Sequence, residues 1–217
     1  MSSSAAPVSP FDQSRYQVRC EWGQEGLRRL APADVVVVVD VLRFSSSVTE
    51  AVADGPVALD ERAHAVSRNG AAVAEEAGRG GALVLLGCLR NASAVAEAVA
   101  AEQRRRGRRT SIAVICAGER VPGAADAPVR FAVEDHLGAG AVIDALGIRA
   151  IDHTSPEAAA AGEAFRGLRS AVRHLLSASG SGQELLERGA AEEVRRAAEI
   201  DGSPTVPVLR DGAFCAL

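Results

Sequence analysis

The sequence predicts an α/β protein, a layered α/β/α domain around a largely parallel or mixed central sheet. Three short apolar runs predict it: Val35–Val39, residues 82–86 and residues 112–115. They are continuous rather than alternating and rich in β-branched residues, which suits strands buried on both faces of a parallel sheet. Each is followed by a polar loop and a helical stretch, a repetition that implies right-handed βαβ crossovers. At 217 residues and 47% hydrophobic, the chain is long enough for one well-buried domain and short for two.

The elements follow in order. Residues 1–15 are Ser/Ala/Pro-rich, without the basic start and apolar run of a signal peptide. They are expected to be a frayed tail, with a single domain over 16–217. After the first strand, Ser47 and Glu50 have capping-box spacing and Gly55 stands where a helix would stop. After the second, Asn91 or Ser93 can cap a helix running through Val95 and Val99 toward Gly107. After the third come Cys-Ala-Gly-Glu-Arg, a Pro/Gly/Ala loop, and Glu134 and Asp135 opening a helix that stops at Gly147. Ser155 followed by Pro156 is an N-cap with Pro in the first turn, and this helix is expected to run to Leu176. Residues 177–182 are expected to be a flexible break, residues 183–200 helical, and residues 206–209 a last short strand.

Composition excludes several functions. The net charge is −4 and aromatic residues make up 3% of the chain, so neither a basic nucleic-acid surface nor a base-stacking platform is expected. All 24 basic residues are Arg, which removes Schiff-base and P-loop lysine chemistry. Cys20, Cys88, Cys116 and Cys215 form no CxxC pair and predict neither a disulfide framework nor a zinc knuckle. No apolar run approaches a membrane span. The expectation is a cytoplasmic protein with no nucleic-acid or membrane partner, its state as monomer or homo-oligomer left open.

In open α/β sheets, ligands bind at the carboxyl ends of the strands. The first predicted strand end offers Asp40, Arg43, Ser45, Ser46 and Ser47. The second offers Cys88, Arg90, Asn91 and Ser93; the third offers Cys116, Glu119 and Arg120, then Glu134 and Asp135 across the loop. Arg forks and helix N-termini bind oxyanions, whereas clustered carboxylates repel them unless a cation intervenes. Mg²⁺ is the natural cation, since it takes one or two carboxylates and completes its shell with water and substrate oxygens. The pattern therefore suggests a small phosphorylated anionic substrate, with Mg²⁺ on Asp40 and Glu134 or Asp135. Arg43 and the amides of Ser45, Ser46 and Ser47 would hold the anion, and Arg90 or Arg120 would add a second clamp. Glu119 or Glu134 would be a general base.

Plainer roles stand beside these. Asp40 can be a strand-end turn residue, Ser45–Ser47 only a helix cap, and Glu134 and Asp135 partners of a helix dipole. Cys88 and Cys116 can be small buried thiols. The arginines at 104–106, 108 and 109 read as a solvated face, and the four histidines show no metal-ligand spacing. GxxxxGK[ST], paired-aspartate, Cys-x5-Arg and GxSxG signatures are all absent.

The segment Val-Val-Val-Asp-Val-Leu-Arg-Phe-Ser-Ser-Ser at 37–47 resembles the signature of the 2-phosphosulfolactate phosphatase family. Ser-Arg-Asn-Gly at 67–70, Gly-Cys-Leu-Arg-Asn-Ala at 87–92, Cys-Ala-Gly-Glu-Arg at 116–120 and Ala-Val-Glu-Asp-His-Leu-Gly-Ala-Gly at 132–140 agree in order. So do Ser-Pro-Glu-Ala at 155–158 and Ser-Gly-Gln-Glu-Leu at 181–185. The resemblance spans about residues 16–209. It implies a Mg²⁺-dependent acid phosphatase of α/β/α fold that converts phosphosulfolactate to sulfolactate and phosphate in coenzyme M biosynthesis. It points to Asp40, Arg43, Ser45, Ser46, Asn69, Asn91, Cys116, Glu119, Glu134 and Asp135. Two departures stand out: Ser47 replaces a usual Thr, and residues 56–66 are shorter than the family's stretch, so part of the site wall is expected to be missing. The sequence thus leads to a phosphomonoester hydrolase, with a non-catalytic anion-binding relative as the alternative. It leaves open whether water or Asp40 attacks phosphorus.

Overall fold

The computed structural model describes residues 9–67, 69–120 and 128–217. The chain forms β1 (Val18–Trp22), α1 (Gly23–Arg29), β2 (Val35–Val39), α2 (Phe44–Ala51), β3 (Val57–Ala58), α3 (Glu61–Val66), α4 (Gly70–Arg79) and β4 (Leu83–Gly87). There follow α5 (Ala92–Arg106), β5 (Ile112–Cys116), α6 (Val133–Ile148), α7 (Pro156–Leu168), α8 (Val172–Ala178), α9 (Gly180–Glu187), α10 (Ala191–Ala197), β6 (Pro207–Arg210) and β7 (Ala213–Ala216). Among the described residues, seven strands form one mixed sheet in the order β1-β5-β2-β4-β6-β7-β3. The first four are parallel and the last three antiparallel.

The pleat explains the uniform Val run. Val35, Val37 and Val39 face one layer with α5, α6 and α7, while Val36 and Val38 face another with α2 and α4. All five are buried, so neither face tolerates a polar residue. This is the expected α/β/α sandwich. The chain runs from β2 outward to β4, then crosses back over β2 to β5. The order therefore reverses beside β2, and a crevice opens where the carboxyl ends of β2 and β5 diverge.

Several local expectations are corrected. Ser47 does not cap α2, which starts three residues earlier. Its first amide, on Phe44, donates to Asp40 Oδ1 at 3.2 Å, so the aspartate ending β2 does the capping, and Glu50 is drawn instead to Arg90 at 2.9 Å. Asn91 holds the N-cap position of α5 as expected, but its side chain makes no capping bond and reaches back to the Cys88 amide and the Leu86 carbonyl; Ser93 lies inside the helix and binds Asp201. The helix expected to reach Leu176 pauses in a 3₁₀ turn at Arg169–Ala171. The expected break at 177–182 is a tight helix–helix corner. Ser179 ends α8 and caps α9 through the Gly182 amide at 3.0 Å, and a Cβ at Gly182 would strike the Leu176 carbonyl. Within the stretch expected to be a frayed tail, Pro10–Asp12 form a 3₁₀ turn, and buried Gln13 pairs with both backbone groups of Cys20. Residues 1–8, and the Pro/Gly/Ala loop over 121–127, lie outside the described residues. The predicted last strand, β6, is followed by a second, β7. They join through Asp211 and Gly212, both at positive φ, as a two-residue hairpin requires. Among the described residues no helix is long and apolar enough to cross a membrane.

Candidate active site

The crevice has a volume of about 170 Å³. Asp40 enters from the end of β2, with Leu42 and Arg43 following it. Gly118 and Glu119 come from the segment after β5, and Glu134 and Asp135 from the first turn of α6. Ser67 and Asn69 precede α4, and Ser181 comes from the first turn of α9. Four carboxylates from three separate stretches of chain therefore share one small space, with Arg43 at its edge.

Each acid is held differently. Asp135 is 3% exposed, and its two oxygens accept the amides of Val41 at 2.7 Å and Gly118 at 2.8 Å. These bonds staple α6 to the ends of both β2 and β5. Asp40, also buried, accepts from Phe44 with one oxygen. The other takes Ser67 Oγ at 2.5 Å and the Gly70 amide at 3.1 Å. Gly70 is required by this approach: a Cβ there would lie 2.8 Å from the Asp40 Cβ and 2.9 Å from the Phe44 ring, and closer still to the carboxylate. Glu134 accepts Ser181 Oγ at 2.7 Å, and the same hydroxyl lies in short contact with Glu119. Arg130 donates to the other oxygen of Glu119 at 3.1 Å.

Burial is the main force on these groups. It pushes Asp135 well above the usual carboxylate range, and the charges of Asp40 and Glu134 push it further, against the two amide bonds. Burial likewise raises Asp40, opposed by Ser67 and the amides of Phe44 and Gly70. Glu134 is raised by burial first, opposed by Ser181, with the charge of Glu119 adding to the rise. The adjacent guanidiniums do not neutralise the two aspartates: Arg43 pairs with Glu193 at 2.8 Å and Arg130 with Glu119. Among the described residues the crevice thus has an excess of buried acidic groups over cations.

A divalent cation fits that excess. Among the described residues, no three His, Cys, Asp or Glu side chains are gathered closely enough to enclose an ion unaided. Mg²⁺ does not need such a cage, because it is held by one or two carboxylates and keeps its waters. Each carboxylate oxygen has two lone-pair directions. The amide and hydroxyl bonds of Asp40 and Asp135 therefore orient the groups without exhausting them.

Other expected site residues lie elsewhere. Ser45 is fully buried, bonding the Val38 carbonyl and the Asp40 amide, and Ser46 bonds the Val41 carbonyl. The amides of Ser45 and Ser47 donate to Asp40 and Arg43 carbonyls, so two of the three amides expected to cradle an anion are spent on closing the loop. Arg90 lies with Ser46 and Ser47 in a separate cleft of about 80 Å³, paired to Glu50 and Glu199. Asn91 is fully buried and ties Leu86 to Thr205. Cys116 is buried against the Asp135 carbonyl, and burial raises its thiol. Arg120 faces a different cavity and bonds Gln24 at 3.2 Å. Asn69 does line the crevice. Its amide donates to the Gly118 carbonyl at 2.8 Å, leaving its own buried Oδ1 without a partner among the described residues.

Ser67 and Ser181 were not legible as site residues. Both fall in segments that carry the family resemblance, but their partners lie 27 and 47 residues away in the chain.

Fold and site together define an α/β protein with an acidic crevice at the switch point of a doubly wound sheet. A family model described as 2-phosphosulpholactate phosphatase matches residues 57–212, well over half of the chain. The chain belongs to that family. The matched span contains Ser67, Asn69, Glu119, Glu134, Asp135 and Ser181, while Asp40 and Arg43 precede it. No curated protein matches the chain.

Proposed function

We propose that the protein is a Mg²⁺-dependent phosphomonoester hydrolase acting on a small phosphorylated acid such as 2-phosphosulfolactate, releasing sulfolactate and phosphate. The observation that carries this reading is the convergence of Asp40, Glu119, Glu134 and Asp135 in one crevice of a phosphatase-family chain. Asp40 and Asp135 are the residues to hold Mg²⁺, with Glu134 beside them. When bound, the ion supplies charge neutralisation and Lewis-acid polarisation of the phosphoryl group. Arg43, on a rim shared with the neighbouring cleft, is placed to trade Glu193 for an anionic substrate group. Asn69 offers a polar amide side chain to the same space. Glu119, oriented by Arg130, is placed to take a proton from the attacking group.

The test is phosphate release from a panel of small phosphate esters, with and without Mg²⁺. Asp40→Asn should keep the fold and lower turnover by about 100-fold or more; near-normal release would remove Asp40 from the chemistry. The short segment at 56–66, which here forms only β3 and α3, favours a second reading as an anion-binding relative. Thermal stabilisation by phosphate or sulfolactate with no turnover of any ester would support that reading.

A further inference from the structure

The crevice contains two hydroxyls, and they are held in different ways. Ser67 accepts from the Gly70 amide at 2.9 Å while donating to Asp40, so it fastens the start of α4 to the end of β2. Ser181 instead faces two carboxylates, Glu119 and Glu134, both within hydrogen-bond reach of its Oγ. A hydroxyl has one proton to donate, so carboxylates on two sides supply more basic capacity than holding the side chain in place requires. Glu119 is itself fixed by Arg130 through its other oxygen. A hydroxyl, a base in contact with it and a third group orienting the base form the constellation of an activated nucleophile. Ser181 is partly open to the crevice, unlike the fully buried Ser45, and the Ser179 cap rigidly sets its helical turn. Asp40 is the weaker candidate, since both its oxygens are tied to backbone amides.

Resting on the phosphatase reading, we propose that Ser181 is the nucleophile. Its Oγ attacks phosphorus as its proton passes to Glu119. The Oγ–P bond forms while the ester P–O bond breaks, and the leaving alkoxide takes a proton from water. Glu119 returns its proton to the hydroxide so formed. Water then attacks the phosphoserine, giving a proton to Glu119. The Oγ–P bond breaks, phosphate departs, and Glu119 returns the proton to Ser181.

The full-length protein with MgCl₂ and 2-phosphosulfolactate or para-nitrophenyl phosphate, quenched in acid during turnover, should yield a phosphorylated tryptic peptide over residues 174–188, with the phosphoryl group on Ser181. A chiral phosphorothioate ester should be hydrolysed with retention at phosphorus, the result of two displacements. Ser181→Ala should lower phosphate release by about 1,000-fold or more, while its Mg²⁺-induced thermal shift stays that of the wild type. Inversion at phosphorus by the wild-type protein, or a folded Ser181→Ala variant within tenfold of wild-type turnover, would overturn the Ser181 assignment and leave the phosphatase reading standing. No release from any ester would overturn both.

Discussion

Gly70→Ala sets two physical effects against each other. Gly70 opens α4, and its backbone is not in the left-handed region, so alanine is conformationally allowed there. Helix propensity alone would make the variant more stable by up to about 1 kcal/mol. Packing argues the opposite. The new methyl would lie 2.8 Å from the Asp40 Cβ and 2.9 Å from the Phe44 ring, well inside van der Waals contact. None of these atoms has room to retreat. The Phe44 ring is 1% exposed, and the Asp40 carboxylate is held by Ser67, the Gly70 amide and the Phe44 amide. Overpacking of this kind costs about 1–3 kcal/mol. Displacing the carboxylate adds the partial loss of its hydrogen bonds, at about 1–3 kcal/mol for a buried donor left unpaired. The net expectation, after the helix-propensity gain is subtracted, is a loss of about 1–5 kcal/mol in urea denaturation, with a smaller Mg²⁺-induced rise in Tm than the wild type shows. A variant as stable as the wild type, with an undiminished Mg²⁺ shift, would refute the close approach of α4 to Asp40 and the role given to that carboxylate.

The acidic crevice has further consequences. Glu134 has its folded pKa raised, chiefly by burial, so the protonated form is favoured in the folded state. Its contribution to stability is therefore neutral below the unfolded value of 4.5 and grows unfavourable as pH rises from there through the folded value. Glu134→Gln removes that penalty. Without metal, the variant should gain stability over the wild type as pH is raised from about 4.5 to 8, measured by denaturation at several pH values; a constant difference would contradict the burial argument. Mg²⁺ added at about 100 times its dissociation constant should stabilise the wild type by about 2.7 kcal/mol. The effect should fade at acid pH, where Asp40 and Asp135 are protonated, and vanish in Asp40→Asn/Asp135→Asn. A Tm indifferent to Mg²⁺ at pH 8 would remove the cation from the site.

The parts of the fold that local chemistry dictates were readable. β2 is a run of five valines, Ser155 with Pro156 opens α7, and Gly107 closes α5 in the left-handed region. The parts that failed are those in which a distant partner overrules a local preference. Ser47 and Glu50 have the spacing of a capping box, but Asp40 caps the helix and Arg90 takes the glutamate. The Ser/Gly-rich stretch at 177–182 looks flexible in isolation, yet Ser179 caps a helix there and Ser181 joins two acids from other elements. β1 escaped notice because an edge strand with Arg19 and Glu21 alternating among its apolar residues lacks the uniform signature of a strand buried on both faces.

Burial on both faces of a sheet demands unbroken apolar runs, and because those runs are written in the chain the sandwich is legible without coordinates. The placing of acids and arginines at strand ends is legible in the same way. Which of them meet depends on the folded arrangement. Parallel β2 and β5, adjacent in the sheet though far apart in sequence, bring Asp40 beside Asp135, while hydrogen bonds made elsewhere retire Ser45, Asn91 and Cys116 into the framework. That choice depends on strand order and on where each polar group finds a partner, and neither is a property of any local stretch of residues.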